Sequence, residues 1–172
     1  MKIAIIGTGR VAAALGKGWA TRGHMVTFAS RQPGSEKVAA LVEAAGPNAA
    51  AARVADAVAR SSIVVLAVPF SAAQEMLGRA GDLAGKLLID CTNPIAPGLR
   101  PLYNGDRSGA EQIAAWAPGA RVVKAFNTTG AENMAAPAYP GGAASMFLCG
   151  DDEMGKAAVW QLAEEIGFEP VD

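Results

Sequence analysis

Short unbroken apolar runs alternate along this chain with stretches in which apolar residues return every three or four positions. The first kind reads as strands covered on both faces, the second as helices with one buried stripe. Lys2 to Ile6 is an apolar run that stops at Gly7, and Arg10 to Thr21 places Val11, Ala14, Leu15 and Trp19 at helical spacing. A second strand is predicted over Met25 to Ala29, followed by a helix from Glu36 to Ala45 that Gly46-Pro47 stops. Ala51 to Val54 reads as a short third strand, Ala55 to Arg60 as a brief helix, and Ile63 to Val68 as the clearest strand of the chain.

The same alternation continues in the second half. Ser71-Ala72-Ala73-Gln74 has the form of a capping box opening a helix that ends near Gly78 to Gly81, and Leu87 to Cys91 is the fifth strand. Thr92 to Arg107, rich in Pro and Gly, is expected to be a long functional loop over the carboxyl edge of a sheet. A second capping box, Ser108 to Glu111, starts a helix through Trp116 that Pro118-Gly119 stops. Arg121 to Ala125, Ser145 to Cys149 and Phe168 to Val171 complete the strands, Met154 to Ile166 is a helix, and Thr128 to Gly142 is a second candidate mobile loop. Strand and helix in strict turn imply right-handed crossovers, hence an α/β fold of the Rossmann type: a doubly wound, mainly parallel sheet in a three-layer αβα sandwich. No boundary interrupts the pattern, so residues 1–172 are expected to form a single domain.

Composition narrows the function classes. Lys plus Arg number 15 against 16 Asp plus Glu, with no polybasic run, which argues against nucleic-acid or membrane-surface partners. The longest apolar runs are far too short to span a bilayer or serve as a signal peptide, and a cytoplasmic protein is expected. Aromatics make up only 6% and alanine dominates, so the core is built from small residues that let helices lie close to the sheet. Cys91 and Cys149 each fall in an apparent strand and read as reduced core thiols. His24, the single histidine, sits in a turn and reads as structural, which sets aside Ser-His-Asp, Cys-His and histidine-based metal chemistry.

What remains is cofactor chemistry. Gly7-Thr8-Gly9-Arg10-Val11-Ala12, between a strand and a helix, has the G-x-G-x-x-A form of a dinucleotide fingerprint. Gly7 permits the tight turn, Gly9 lets backbone approach a pyrophosphate, and the helix start supplies free N–H groups; a purely structural glycine turn is the plainer alternative. An NAD binder ends its second strand with a carboxylate, whereas here Ala29 leads into Ser30-Arg31, with Lys37 beyond. A hydroxyl and a guanidinium suit a 2′-phosphate, so NADP is the expected cofactor. Val68-Pro69-Phe70 closes the fourth strand, where Phe70 is a candidate to flank the nicotinamide, and Asn93 closes the fifth with an uncharged amide. Lys124, Asn127 and Thr128 end the sixth, Lys124 reading as a substrate-phosphate or acidic-group contact or as the partner in a helix–sheet salt bridge.

Taken in order, GTGRVAAALGKGWATRGH, ASR, AVPF, IDCTNPI and VVKAFNT resemble the NADPH-dependent coenzyme F420 reductases, also called F420-dependent NADP oxidoreductases. The related reductase domains that pass hydride from NADPH to a flavin look similar. This resemblance runs through CGDDE to the final FEPVD. It implies that Thr8, Gly9, Arg10, Val11, Ser30 and Arg31 hold the adenosine phosphates, and that Phe70, Gln74, Asn93 and a position near Ala131 lie along the rest of NADP. It also implies a C-terminal helical segment that this chain is expected to lack.

The expected function is therefore hydride transfer between NADP(H) and a flavin or deazaflavin acceptor of the F420 kind, with no catalytic side chain and no metal. Two stacked heterocycles mainly need to be held in near-attack geometry. Two alternatives stay open: an NADPH-dependent reductase of a small carbonyl or imine, using Tyr103 or Tyr139 as proton donor, and a non-catalytic NADP-binding redox sensor. The expected partners are a small-molecule redox acceptor and a second copy of the chain, since one small domain has no second lobe to cover the nicotinamide.

Overall fold

A computed structural model describes residues 1–96, 98–103 and 107–172. Its centre is a six-stranded sheet in which β1 (Lys2–Ile6), β2 (Met25–Ala29), β3 (Ala49–Ala52), β4 (Ile63–Leu66), β5 (Leu87–Asp90) and β8 (Arg121–Lys124) all run parallel, in the order β3-β2-β1-β4-β5-β8. The chain leaves β1 toward β2 on one side and returns to its other side at β4. That reversal opens a crevice outside the carboxyl ends of the strands, where such sheets place their ligands.

The period-two alternation of side chains explains the three layers. From β1, Ile3 and Ile5 face one core together with Val65 of β4 and Ile89 of β5. Against them lie Leu15 and Trp19 of α1 (Arg10–Ala20) and Val159 and Leu162 of α7 (Glu153–Glu165). Ala4 and Ile6 face the other core with Val64, Leu66 and Leu88, covered by α3 (Val54–Ala59), α4 (Phe70–Gly78) and α5 (Gly109–Trp116). The helix α2 (Glu36–Ala45) lies beside α1 and β3. Trp19 ties the first layer together: its Nε1 donates to the Leu162 carbonyl at 2.9 Å, and its ring meets Phe126 edge-on at 5.6 Å.

Several expected boundaries move. The third strand lies two residues earlier than Ala51 to Val54, because the register Val26↔Ala49 to Ala29↔Ala52 is set by β2, and a run of alanines carries no periodicity of its own. Val54 is instead buried as the first residue of α3. The predicted capping box at Ser71 and Gln74 does not form: Pro69 is the N-cap of α4, the Ala72 N–H donates to the Pro69 carbonyl, and Ser71 lies inside the helix. Burial of Phe70 against Tyr103 and Trp116 fixes this earlier start. The second capping box is present, with the Glu111 N–H donating to the Ser108 hydroxyl and the Ser108 N–H to the Glu111 carboxylate.

Within the loop expected over Thr92 to Arg107, β6 (Ile95–Ala96) and β7 (Arg100–Pro101) form a short antiparallel pair, while residues 97 and 104–106 of that loop lie outside the described residues. The loop expected over Thr128 to Gly142 contains α6 (Ala131–Ala135) and an antiparallel pair, β9 (Ala138–Tyr139) with β10 (Gly142–Ala143), so Tyr139 is in a strand. The last two predicted strands, β11 (Ser145–Phe147) and β12 (Glu169–Val171), pair with each other in parallel. They meet the main sheet through one antiparallel bridge, Lys124↔Cys149. Cys149 is therefore exposed at an isolated bridge, and only Cys91 is a core thiol; both are free. Among the described residues no helix is long and apolar enough to cross a membrane.

Candidate functional site

The site begins at the turn from β1 to α1. Gly7 has φ +139°, and a Cβ there would overlap the Ala67 carbonyl oxygen at the end of β4, so only glycine fits. At Gly9, the N-cap of α1, a Cβ would meet nothing within 4 Å. Open space therefore stands in front of the first turn of α1, which carries neither a capping side chain nor an acidic residue. Its N–H groups and the positive end of the helix dipole face that open space, an arrangement suited to an anion.

From this turn a cavity of about 850 Å³ runs across the sheet edge. Gly7, Thr8 and Gly9 form its floor, Ser30, Arg31 and Gln32 beyond β2 one end, and Val68 and Pro69 beyond β4 the opposite wall. Ser35, Lys37 and Val38 close it from the start of α2, Ala72, Glu75 and Met76 from α4. No carboxylate stands at the end of β2; the Ser30 hydroxyl accepts from the Gln32 N–H at 3.1 Å. Glu75 approaches from the far wall, 3.8 Å from the Arg31 guanidinium and 3.0 Å from that of Arg79. The glycine turn, the uncompensated helix start and the cationic far end suit a dinucleotide carrying an extra phosphate.

Of the thirteen residues expected to bind cofactor, seven line this cleft: Gly7, Thr8, Gly9, Ser30, Arg31, Val68 and Pro69. Arg10 points away from it and pairs with Glu132 of α6 at 2.7 Å. Together with Ala131 it lines a separate cavity of about 310 Å³ between α1, α2 and α6. Val11 is half-buried against the first core. Phe70 is buried in the second core, 5.8 Å from Tyr103 and 5.5 Å from Trp116 between ring centroids, and Gln74 is exposed on α4. Asn93 is exposed beyond β5 and forms a reciprocal pair with Asn127, its Nδ2 donating to the Asn127 carbonyl at 2.9 Å while the Asn127 Nδ2 donates to its Oδ1 at 3.1 Å.

Behind Asn93 lies a buried charged corner. Asp90, 0% exposed, accepts from the Thr92 N–H (2.9 Å), the Thr92 hydroxyl (2.7 Å) and Lys124 Nζ (2.8 Å); Lys124 also donates to the Thr92 carbonyl at 2.7 Å. Lys124 thus forms its salt bridge strand to strand within the sheet, with Asp90 of β5, and not with a helix as expected, because the register sets the two residues side by side. Burial, reinforced by the Asp90 charge and opposed by Lys124, pushes the Cys91 thiol far above its ordinary range, so it stays protonated and is no nucleophile. Two residues beyond β8, Phe126 takes φ +60°, with its N–H donating to Met146 Sδ at 3.1 Å, and this turn presents Asn127. His24 is buried, its Nε2 bonded to Glu165 of α7. Tyr103 packs on Phe70, and the Tyr139 hydroxyl donates to Asn133 Oδ1.

Glu75, Gln32, Ser35, Ala72 and Met76 were not anticipated as lining residues. Glu75 and Arg79 are legible as a helical pair four residues apart, but the reach of Glu75 to Arg31 depends on how α4 packs beside β2.

Residues 2–94 match the family described as NADP oxidoreductase, coenzyme F420-dependent. A crystal structure from Arthrobacter sp. FB24, provisionally named an F420-dependent NADP-reductase, is 34% identical, with a TM-score of 0.87 over 100% of this chain and 84% of that one. A hypothetical protein from Sinorhizobium meliloti is 31% identical, with a TM-score of 0.86 and the same coverage, 100% and 84%. The metalloreductase STEAP3 of Rattus norvegicus is 30% identical over 172 residues, 99% of this chain, which spans 33% of the length of that relative.

Proposed function

This chain belongs to the family of coenzyme F420-dependent NADP oxidoreductases, and from that premise we propose that it transfers hydride between the nicotinamide of NADP(H) and a flavin or deazaflavin ring of the F420 kind. The observation that carries the cofactor reading is the single cleft joining the Gly7–Gly9 turn to Ser30 and Arg31. On this reading the α1 N-terminus holds the pyrophosphate, Ser30 and Arg31 the 2′-phosphate, and Val68 and Pro69 flank the path toward the nicotinamide end. Gly7 and Gly9 support the fit, since one forbids a side chain and the other leaves the space a pyrophosphate needs.

NADP, when bound, supplies the hydride chemistry; the chain's part is to bind and orient. The Asn93–Asn127 pair offers amide donors and acceptors without net charge at the adjoining strand ends, suited to a carboxamide or ribose hydroxyl. Two planar rings held at near-attack distance need no proton relay from the protein. A second copy of the chain would cover the acceptor face and complete the site.

The test mixes the protein with NADPH and, in turn, F420, FMN, FAD and a panel of carbonyl and imine compounds, following the reduced-nicotinamide absorbance. Turnover with F420 or a flavin is expected. Turnover with carbonyls or imines alone would replace the acceptor assignment, and tight NADPH binding without any turnover would point to a sensor. Arg31→Ala should weaken NADPH by about tenfold or more while sparing NADH, as loss of a charge-assisted phosphate contact does. Equal losses would remove the 2′-phosphate role.

A further inference from the structure

We propose that Arg53 and Arg79 act with Arg31 as a three-guanidinium annex that receives the 2′-phosphate, and that Glu75 tunes its charge; this rests on the NADP reading above and names further specificity-determining residues for it. A second cavity of about 230 Å³ adjoins the main cleft, lined by Ser30, Arg31, Arg53, Val54, Ala55 and Arg79. Ser30 and Arg31 line both spaces.

Three elements converge there. Ala29 and Ala52 are the last paired residues of β2 and β3, and the Ser30 N–H donates to the Ala52 carbonyl at 3.0 Å, so the register brings Ser30 beside Arg53, with Arg31 one residue further on at the same cavity. Arg79 arrives from the C-cap of α4. Among the described residues Arg53 has no carboxylate within 4.0 Å and makes no side-chain hydrogen bond, whereas its neighbour Val54 is buried and does the packing. Glu75 neutralises one guanidinium's worth of charge between Arg31 and Arg79.

Three cations against one anion leave a net charge of +2 around a small exposed recess. Gathering like charges costs free energy that packing here does not return. A phosphate monoester brings a charge of about −1.5 to −2 and acceptor oxygens that planar guanidiniums can engage in pairs. Glu75 opposes that dianion from the same place, with Arg79 offsetting it across a single helical turn. Purine stacking on a guanidinium is the competing use of the recess, and it would not distinguish NADP from NAD.

The experiment measures binding of NADPH, NADH, 2′,5′-ADP and 5′-AMP to the wild-type chain and to Arg53→Ala, Arg79→Ala and Glu75→Gln, at two ionic strengths. All three side chains are exposed, and thermal melting of each variant checks that the fold is kept. Arg53→Ala and Arg79→Ala should each weaken NADPH and 2′,5′-ADP by about tenfold while leaving NADH and 5′-AMP within about twofold. Glu75→Gln should tighten NADPH relative to NADH, and the NADPH affinity of Arg53→Ala should depend less on salt than that of the wild type. Parallel losses for all four ligands would make the recess an adenine site and overturn the proposal, as would unchanged affinities. If the wild type shows no preference for NADPH and Arg31→Ala changes nothing, the NADP reading itself fails.

Discussion

The turn at β1 and the corner joining β5 to β8 stand at the same edge of one sheet, and they are built on opposite principles. At Gly7 and Gly9 the chain removes side chains and starts α1 without a capping side chain, facing the open cleft. At Asp90, Thr92 and Lys124 it buries charged side chains and satisfies each of them within the protein. The difference separates a part left open to solvent from a part closed on itself, a support. The α1 start faces open space, whereas the ion pair is closed within the protein and holds the strand end from which Asn93 projects.

Breaking the support should have the larger effect. Lys124→Met leaves the Asp90 carboxylate buried without its cation and should cost about 3–5 kcal/mol in urea or thermal unfolding. Adding Asp90→Asn should restore much of that loss, because an amide leaves no buried charge; a single variant as stable as the wild type would show that the corner does not depend on the pair. Gly7→Ala, at the other region, combines a disfavoured φ with the clash at Ala67 and should cost about 1–3 kcal/mol. It should also weaken NADPH by more than its stability loss explains, which a titration well below the melting temperature would reveal. Normal affinity in that variant would mean the turn is merely structural.

The mildest expected effect lies at the cap of α5, away from both regions. Ser108→Ala removes one half of the capping box and should cost about 1 kcal/mol. Hydrogen bonds from Ser108 hold the Glu111 carboxyl below its ordinary range, so the native state favours the ionised form. Its contribution is therefore fully present above the ordinary glutamate pKa and fades as the pH falls through the lower folded value. In Ser108→Ala, melting temperatures recorded from neutral to acid pH should show a smaller share of acid-side loss.

Most of the parallel sheet was legible from apolar runs, because strands covered on both faces need no partner-specific signal to be recognised. β1, β2 and α2 have the predicted ends to the residue. Legibility faded where the local pattern was bland or the partner was distant. Ala49–Ala52 took its register from β2, and the region after Lys124 paired β11 with β12 beside the main sheet instead of extending it. Gly7, Thr8, Gly9, Ser30 and Arg31 were readable as residues of one cleft because their positions follow from a turn and a strand end. Phe70 was not readable in the same way: an aromatic one residue beyond a Pro at a strand end can face either layer, and contacts with Tyr103 and Trp116 placed it in the core.

By itself, then, the sequence determined the sheet, the glycine turn and the absence of a carboxylate after β2, all of which depend on residues within a few positions of one another. Tertiary structure alone decided that Arg31, Arg53 and Arg79 line one cavity, that Glu75 stands between two of them, and that buried Asp90 pairs with half-buried Lys124. The physical reason is range. Backbone conformation and hydrophobic periodicity are local quantities, whereas charge pairing and the lining of a cleft depend on strand order and helix packing, which bring together positions dozens of residues apart.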